Sequence, residues 1–204
     1  MLERRSVLAG GLATLLVACG RSPAGAELAA ATPRAAQLIE AARSQVGVTL
    51  DYDSGYAALA YPGGDIDRSR GVCTDVVIRA YRDALGIDLQ REVHVDIVRA
   101  FAQYPRRWGL SRPDRNIDHR RVPNLEAFWT RKGARLTLPA DQSDWQPGDI
   151  FTSLVGGKLP HTGIVSDRLS AGGGPMVVHN IGGGTQEESL GEVGKLTGRF
   201  RWQV

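Results

Sequence analysis

Residues Ser69–Tyr81 read SRGVCTDVVIRAY, a glycine-containing turn that runs into a helix with a cysteine at its head. From Thr74 onward the apolar residues recur at helical spacing as far as Leu85, and Gly86 then offers a left-handed stop, so the spacing predicts a helix over 74–85. Cys73 shares a face with Val76, Val77, Ala80 and Ala84, and that stripe needs something to pack on, which points to a sheet. At a helix N-terminus the free N–H groups and the dipole favour a thiolate and lower its pKa. The competing reading is a small buried core cysteine, the commoner fate of a lone thiol.

The chain has 204 residues, 42% of them apolar and 23% charged, which suits one domain of ordinary size and argues against disorder. Its net charge of +3 suits an anionic wall polymer or a membrane surface as well as ordinary solvation. No Lys/Arg run marks a nucleic-acid binder.

Upstream, Met1–Arg5 (MLERR) is a basic start and Ser6–Ala18 (SVLAGGLATLLVA) an apolar run of about a dozen residues, too short to span a bilayer. Leu16-Val17-Ala18-Cys19 resembles the lipobox of bacterial lipoproteins. That resemblance implies a signal peptide over 1–18 and lipidation of Cys19 as the membrane anchor. It also implies placement on the periplasmic side of a bacterial membrane. Gly20 in place of aspartate favours the outer membrane in a Gram-negative cell. Arg4-Arg5 leaves Sec and twin-arginine export both open. Residues 19–33 read as a flexible tether and 34–204 as the folded domain. With Cys19 lipidated, Cys73 has no disulfide partner.

Along that domain, Pro33–Val46 has an amphipathic helical pattern, and a Tyr/Gly-rich stretch with the turn signal Pro62-Gly63-Gly64 follows it. A further helix is expected from about Val93 to Gln103, and Asn124 is the candidate cap of a short one over 125–133. The C-terminal half changes period. Residues 148–155, 161–167, 175–182 and 198–204 are short β-rich runs between glycine clusters. Helices followed by strands predict an α+β domain with an antiparallel sheet.

Two strand histidines join Cys73. His161 alternates in phase with Gly163 and Val165, and His179 in phase with Val177. A hairpin with His161 opposite His179 centres its turn on Ser170, inside the glycine-rich break, and sets both imidazoles on one face. A thiol, a base and a polar group that orients the base form a nucleophilic triad. A zinc site built from His161, His179, His119 and an aspartate is the alternative, but the chain has no HExxH or CxxC motif and such a site leaves the thiol idle.

Cys73 heading a helix, Pro147-Gly148-Asp149 before a strand, His161-Thr-Gly-Ile-Val and a strand ending in His179 resemble, in that order, the NlpC/P60 papain-like cysteine peptidases of bacterial cell walls. More specifically, GVCTDVVIRAYR, PDRNIDHRRVPNL, WQPGDI and VVHNIGGG are similar to the DUF1287 family across about Arg34–Trp202. The resemblance implies a papain-like core, Cys73 as nucleophile, His161 as base, His179 as its orienter, no cofactor, and cleavage of an amide in peptidoglycan stem peptides or crosslinks. An acyl- or amidotransferase with the same triad, or a non-catalytic wall-binding module, are the alternatives.

The family's oxyanion tyrosine maps to Tyr56 or Tyr61. Asp75 stands where the wider family has glycine, so it is either a helix cap or a ligand for a cationic substrate group. Asn116, Asp118, His119 and Arg120 are either a cleft rim or a solvated loop; as a rim, Arg120 or Arg121 is the natural grip on a peptide carboxylate. Asn180 ranks below His179 because it alternates to the opposite face, and His94 reads as structural.

Overall fold

The computed structural model describes residues 28–204, so the expected signal peptide and Cys19 lie outside the described residues. Helix α1 (Pro33–Arg43) starts where Thr32 Oγ1 accepts the Ala35 N–H at 3.1 Å and buries Leu38, Ile39 and Ala42. Two short strands, β1 (Asp51–Tyr52) and β2 (Arg70–Gly71), pair in parallel and lead into α2 (Cys73–Leu85), which Gly86 closes at φ 66°. Then follow α3 (Leu89–Ala100), α4 (Val122–Arg131), β3 (Arg135–Leu136), β4 (Ile150–Val155), β5 (Leu159–Leu169), β6 (Pro175–Asn180), β7 (Thr185–Ser189) and β8 (Lys195–Phe200). The last six strands form one antiparallel sheet in the order β3–β8–β4–β5–β6–β7. The fold is thus α+β, with the helices preceding and covering the sheet.

Helix α3 begins four residues before the expected Val93, because Asp88 caps it by accepting the Gln90 N–H at 3.2 Å. Asn124 caps nothing. It lies within α4 behind Pro123, and its Nδ2 donates to the Asp118 carbonyl at 3.0 Å. Strand β7 reads Thr-Gln-Glu-Glu-Ser and has no apolar alternation to announce it; its pairing with β6 alone creates it.

The β5–β6 hairpin pairs Ile164 with Val178 and Val165 with Val177. His161 is therefore not opposite His179: the register is displaced by two residues because the chain turns later, where Ser170 N–H bonds Gly174 O at 2.8 Å. A shift of two preserves parity, so both histidines keep the same face.

Ile150, Ile164, Val178 and Phe200 meet the helices in the main core, whereas Phe151, Val165 and Val177 pack with Trp145, Leu190 and Val193 on the other face. Gly148 (φ 86°) opens β4 where a Cβ would sit 2.7 Å from Ala35 Cβ, and the fully buried Asp149 beside it is held by Arg199 Nε (2.7 Å) and Arg201 Nε (2.8 Å). That neighbour of the proline-glycine turn is an anchor between β4 and β8.

Helix α2 is buried all round from Cys73 to Tyr81, beyond the one stripe that periodicity marks. Its polar face survives burial because each group has a partner. Arg79 is bound by Asp65, by Thr49 Oγ1 at 3.1 Å and by the Arg70 carbonyl at 3.0 Å. Residues 53–71 thereby cover the side of α2 away from the sheet.

Candidate active site

Cys73 is 3% exposed and is unpaired among the described residues. The backbone N–H groups of Thr162 and Thr74 and the Tyr52 hydroxyl face its sulfur and favour the thiolate. The first contact is available because the β5–β6 ladder ends at Ile164–Val178, leaving the Thr162 amide to the sulfur. Burial pushes the thiol up to about 11, with the Asp75 carboxylate adding to the rise and the three donors opposing it. The lowering expected of a helix N-terminus is therefore outweighed. The resting group is a thiol, and attack requires a base to take its proton.

The candidate base, His161, is on β5, the strand whose Thr162 amide faces the sulfur. His161 precedes Thr162, and its Nε2 lies 2.8 Å from His179 Nδ1, the rings crossing at 72°. Both rings sit against Phe151, on the sheet face that the helices do not cover. Burial first, then the neighbouring His179, lower the His161 pKa to about 3, so the ring is neutral. Burial also lowers His179, and Glu188 partly restores it; His179 Nε2 meets Glu188 Oε2 at 3.0 Å.

Gly163 makes the diagonal reach from His161 to His179 possible. A Cβ there would come 2.6 Å from Val178 O, 2.7 Å from Phe151 Cε1 and 2.8 Å from His179 Cβ. Gly163→Ala is expected to cost about 1–3 kcal/mol in overpacking and to part the imidazoles. Thermal unfolding and the alkylation rate of Cys73 should both register it; an unchanged alkylation rate would show that the pair tolerates the methyl.

A cleft of about 190 Å³ opens over the sulfur, walled by Tyr52, Cys73, Trp108, Arg121, Pro123 and Pro160. Tyr52 and Pro160 also wall a neighbouring depression of about 140 Å³ that reaches His161 and is otherwise apolar, with Leu159 and Ile181. The Arg121 guanidinium lies over the Trp108 ring at 4.1 Å and contacts Asp118 at 3.3 Å.

The tyrosine at the sulfur is Tyr52, in place of both expected candidates. Tyr56 is exposed and bonds Asp114 and Asn116, whereas Tyr61 packs edge-on to His94 at 5.2 Å. Burial, and then the charges and hydrogen bond at Cys73, hold the Tyr52 hydroxyl well above its ordinary pKa, so it remains a donor.

Asp75 is a cap and an ion-pair partner, not a surface ligand. Its Oδ2 accepts the N-cap Val72 N–H at 2.7 Å, as the N3 carboxylate of a capping box does, and both its oxygens meet Arg120 at 2.9 Å. Arg120 reaches the cleft wall, but its guanidinium is committed to Asp75 and to the Asp53 and Gly55 carbonyls.

The 116–120 segment, open in the sequence to a cleft rim or a solvated loop, is folded inward. Asn116 Oδ1 accepts the Leu59 N–H, Asp118 Oδ2 accepts the Asp114 N–H, and burial raises the Asp118 pKa. Asn180 is fully buried, with Nδ2 on the Gly71 carbonyl at 3.1 Å, and so fastens β6 to the strand before Cys73. Among the described residues no cluster of three or more His, Cys, Asp or Glu is placed to hold a metal.

His119 is 2% exposed, its Nδ1 has no partner, and burial followed by the Arg120 charge lowers its pKa to about 3. Protons bind it more readily in the unfolded chain, so its contribution is present above about pH 6.5 and is lost as pH falls toward 3, at up to about 1.4 kcal/mol per pH unit. Melting temperatures measured from pH 7 to pH 4.5 should fall in the wild type and fall less steeply in His119→Gln. Equal slopes would remove His119 from the acid sensitivity.

Tyr52, Glu188 and the Thr162 amide escaped the sequence reading. Comparison with known proteins adds a relative 47% identical over 167 residues, covering 82% of this chain and 81% of its own length: "Uncharacterized protein YijF" of Escherichia coli (strain K12). The family model described as "Domain of unknown function (DUF1287)" matches residues 39–202, and with Cys73, His161 and His179 all inside that span, the chain belongs to the DUF1287 family.

Proposed function

We propose that this protein is an exported cysteine hydrolase with a papain-like, NlpC/P60-type core. In this reading it cleaves an amide bond in peptidoglycan stem peptides or crosslinks from a lipid anchor at Cys19. The observation that carries the reading is the 2.8 Å bond between His161 and His179 on the strand whose next amide binds the Cys73 sulfur. A buried histidine pair of no chemical use would be costly to keep, and one of its members adjoins in the chain the residue whose amide faces the Cys73 sulfur.

The Cys73 proton passes to His161 Nδ1 as sulfur attacks the substrate carbonyl carbon. The carbonyl π pair moves to oxygen, where the Cys73 N–H at the helix N-terminus and the Tyr52 hydroxyl receive it. Tyr52 already donates at the position the sulfur occupies, so bond formation there frees the donor for the neighbouring oxyanion. Collapse breaks the C–N bond, His161 returns its proton to the leaving amine, and an acyl-enzyme remains. His161 then takes a proton from water as the hydroxyl attacks, and the carboxylate and thiol are released. The Arg121 side of the cleft suits an acidic peptide, and the chain's positive charge suits an anionic polymer.

Purified protein incubated with sacculi is expected to release new muropeptides that Cys73→Ala does not. Identical digests from the two proteins would end the hydrolase reading, and products carrying an added amine would redirect it to acyl transfer.

A further inference from the structure

The carboxylate at the end of the histidine pair fixes which nitrogen of His161 is free. Strand β7 places Glu188 opposite Val177 on β6, and its side chain, about one-third exposed, reaches His179 Nε2 at 3.0 Å. An ionised carboxylate only accepts hydrogen bonds, so the proton of neutral His179 belongs on Nε2. Nδ1 of that ring then holds a lone pair, and its 2.8 Å contact with His161 Nε2 must carry the His161 proton. The remaining nitrogen, His161 Nδ1, is left unprotonated.

We propose that Glu188 is a positioning residue that acts through His179, setting the tautomer of both imidazoles so that His161 presents a basic Nδ1 to Cys73. Without it His179 is free to carry its proton on Nδ1 and donate to His161 Nε2. That arrangement moves the His161 proton to Nδ1, the nitrogen the thiol needs. Once His161 accepts the Cys73 proton, Glu188 also stabilises the imidazolium across the intervening ring, and no proton has to reach the carboxylate. The groups that bear on His179 are His161 from β5, Glu188 from β7 and the exposed Glu192 from the turn after β7; Glu192 acts by charge alone, without a hydrogen bond to the ring. This inference deepens the hydrolase reading, and its test is independent of any peptidoglycan substrate.

Iodoacetamide alkylation of Cys73 in the purified protein, followed by mass spectrometry from pH 6 to pH 11, reads the base directly. Glu188→Ala is expected to slow alkylation about tenfold at pH 7, with Glu188→Gln in between because its amide oxygen still accepts, and Glu192→Gln close to wild type. All four proteins should converge near pH 11, where the thiol ionises without a base; damage to the cleft would instead slow alkylation at every pH. Wild-type behaviour of Glu188→Ala, or equal slowing by Glu192→Gln, overturns the assignment of Glu188. If His161→Ala also alkylates at the wild-type rate, the thiol has no base and the hydrolase reading falls as well. A slow His161→Ala beside a normal Glu188→Ala overturns the Glu188 proposal alone.

Discussion

Replacing Arg120 by leucine is expected to destabilise the fold by about 3–5 kcal/mol, on the order of 10 °C in melting temperature. The magnitude follows from what stays behind. Arg120 and Asp75 are 2% and 5% exposed at their side chains, and the carboxylate would remain buried with the Val72 N–H as its hydrogen-bond donor. The Asp53 and Gly55 carbonyls would lose their donor in the same step. Substituting both members of the pair by leucine should cost less than the sum of the two single changes, because no uncompensated charge remains. Arg120→Lys keeps the charge but not the fork that holds Asp75 and two carbonyls together, so it should fall between. Chemical denaturation of the four proteins measures the coupling, and additive effects would show that the pair is not the unit described. The pair also ties the first turn of α2, which carries Cys73, to the segment just after Tyr52, so a folded Arg120→Lys protein is expected to lose activity as well.

What the sequence discloses about this site follows the range of its signals. The helix from Cys73 to Gly86 and the shared phase of His161 and His179 are local periodicities, and both survive even a two-residue error in hairpin register. Tyr52 is different. It reaches Cys73 through a two-residue parallel pairing between 51–52 and 70–71, which no local pattern encodes. Glu188 lies in a polar edge strand whose existence depends on β6, so neither its strand nor its partner can be read from TQEES. The charged run from Asp114 to Arg121 reads as either a cleft rim or a solvated loop because its counterparts lie elsewhere in the chain: Arg120 meets Asp75, and Asn116 meets Leu59 and Tyr56. The thiol pKa departs from the sequence expectation for an energetic reason. A helix N-terminus contributes little against full burial plus a carboxylate two residues away.

Cys73→Ala and His161→Ala are each expected to lower turnover of a peptidoglycan peptide to nearly the same floor, about 10⁴-fold or more below wild type, and the double variant should sit there too. The reasoning rests on the resting charges. With the thiol raised to about 11 and His161 lowered to about 3, both are neutral at rest, so in the proposed hydrolase the proton leaves sulfur only as the attack on bound substrate proceeds. Neither group does anything useful alone, and losses from groups that act as a unit do not add. His179→Ala should cost less, on the order of 10²-fold, because His161 keeps its position next to Thr162 and loses only the partner that fixes its tautomer. Cys73→Ala should leave the melting temperature almost unchanged, since the sulfur is small and accepts donors that the adjacent cleft can hydrate. Single-turnover rates of the four proteins, read beside their melting curves, decide the matter. Additive losses from Cys73 and His161 would mean that they act in separate steps, and an active His161→Ala would require another base for the thiol.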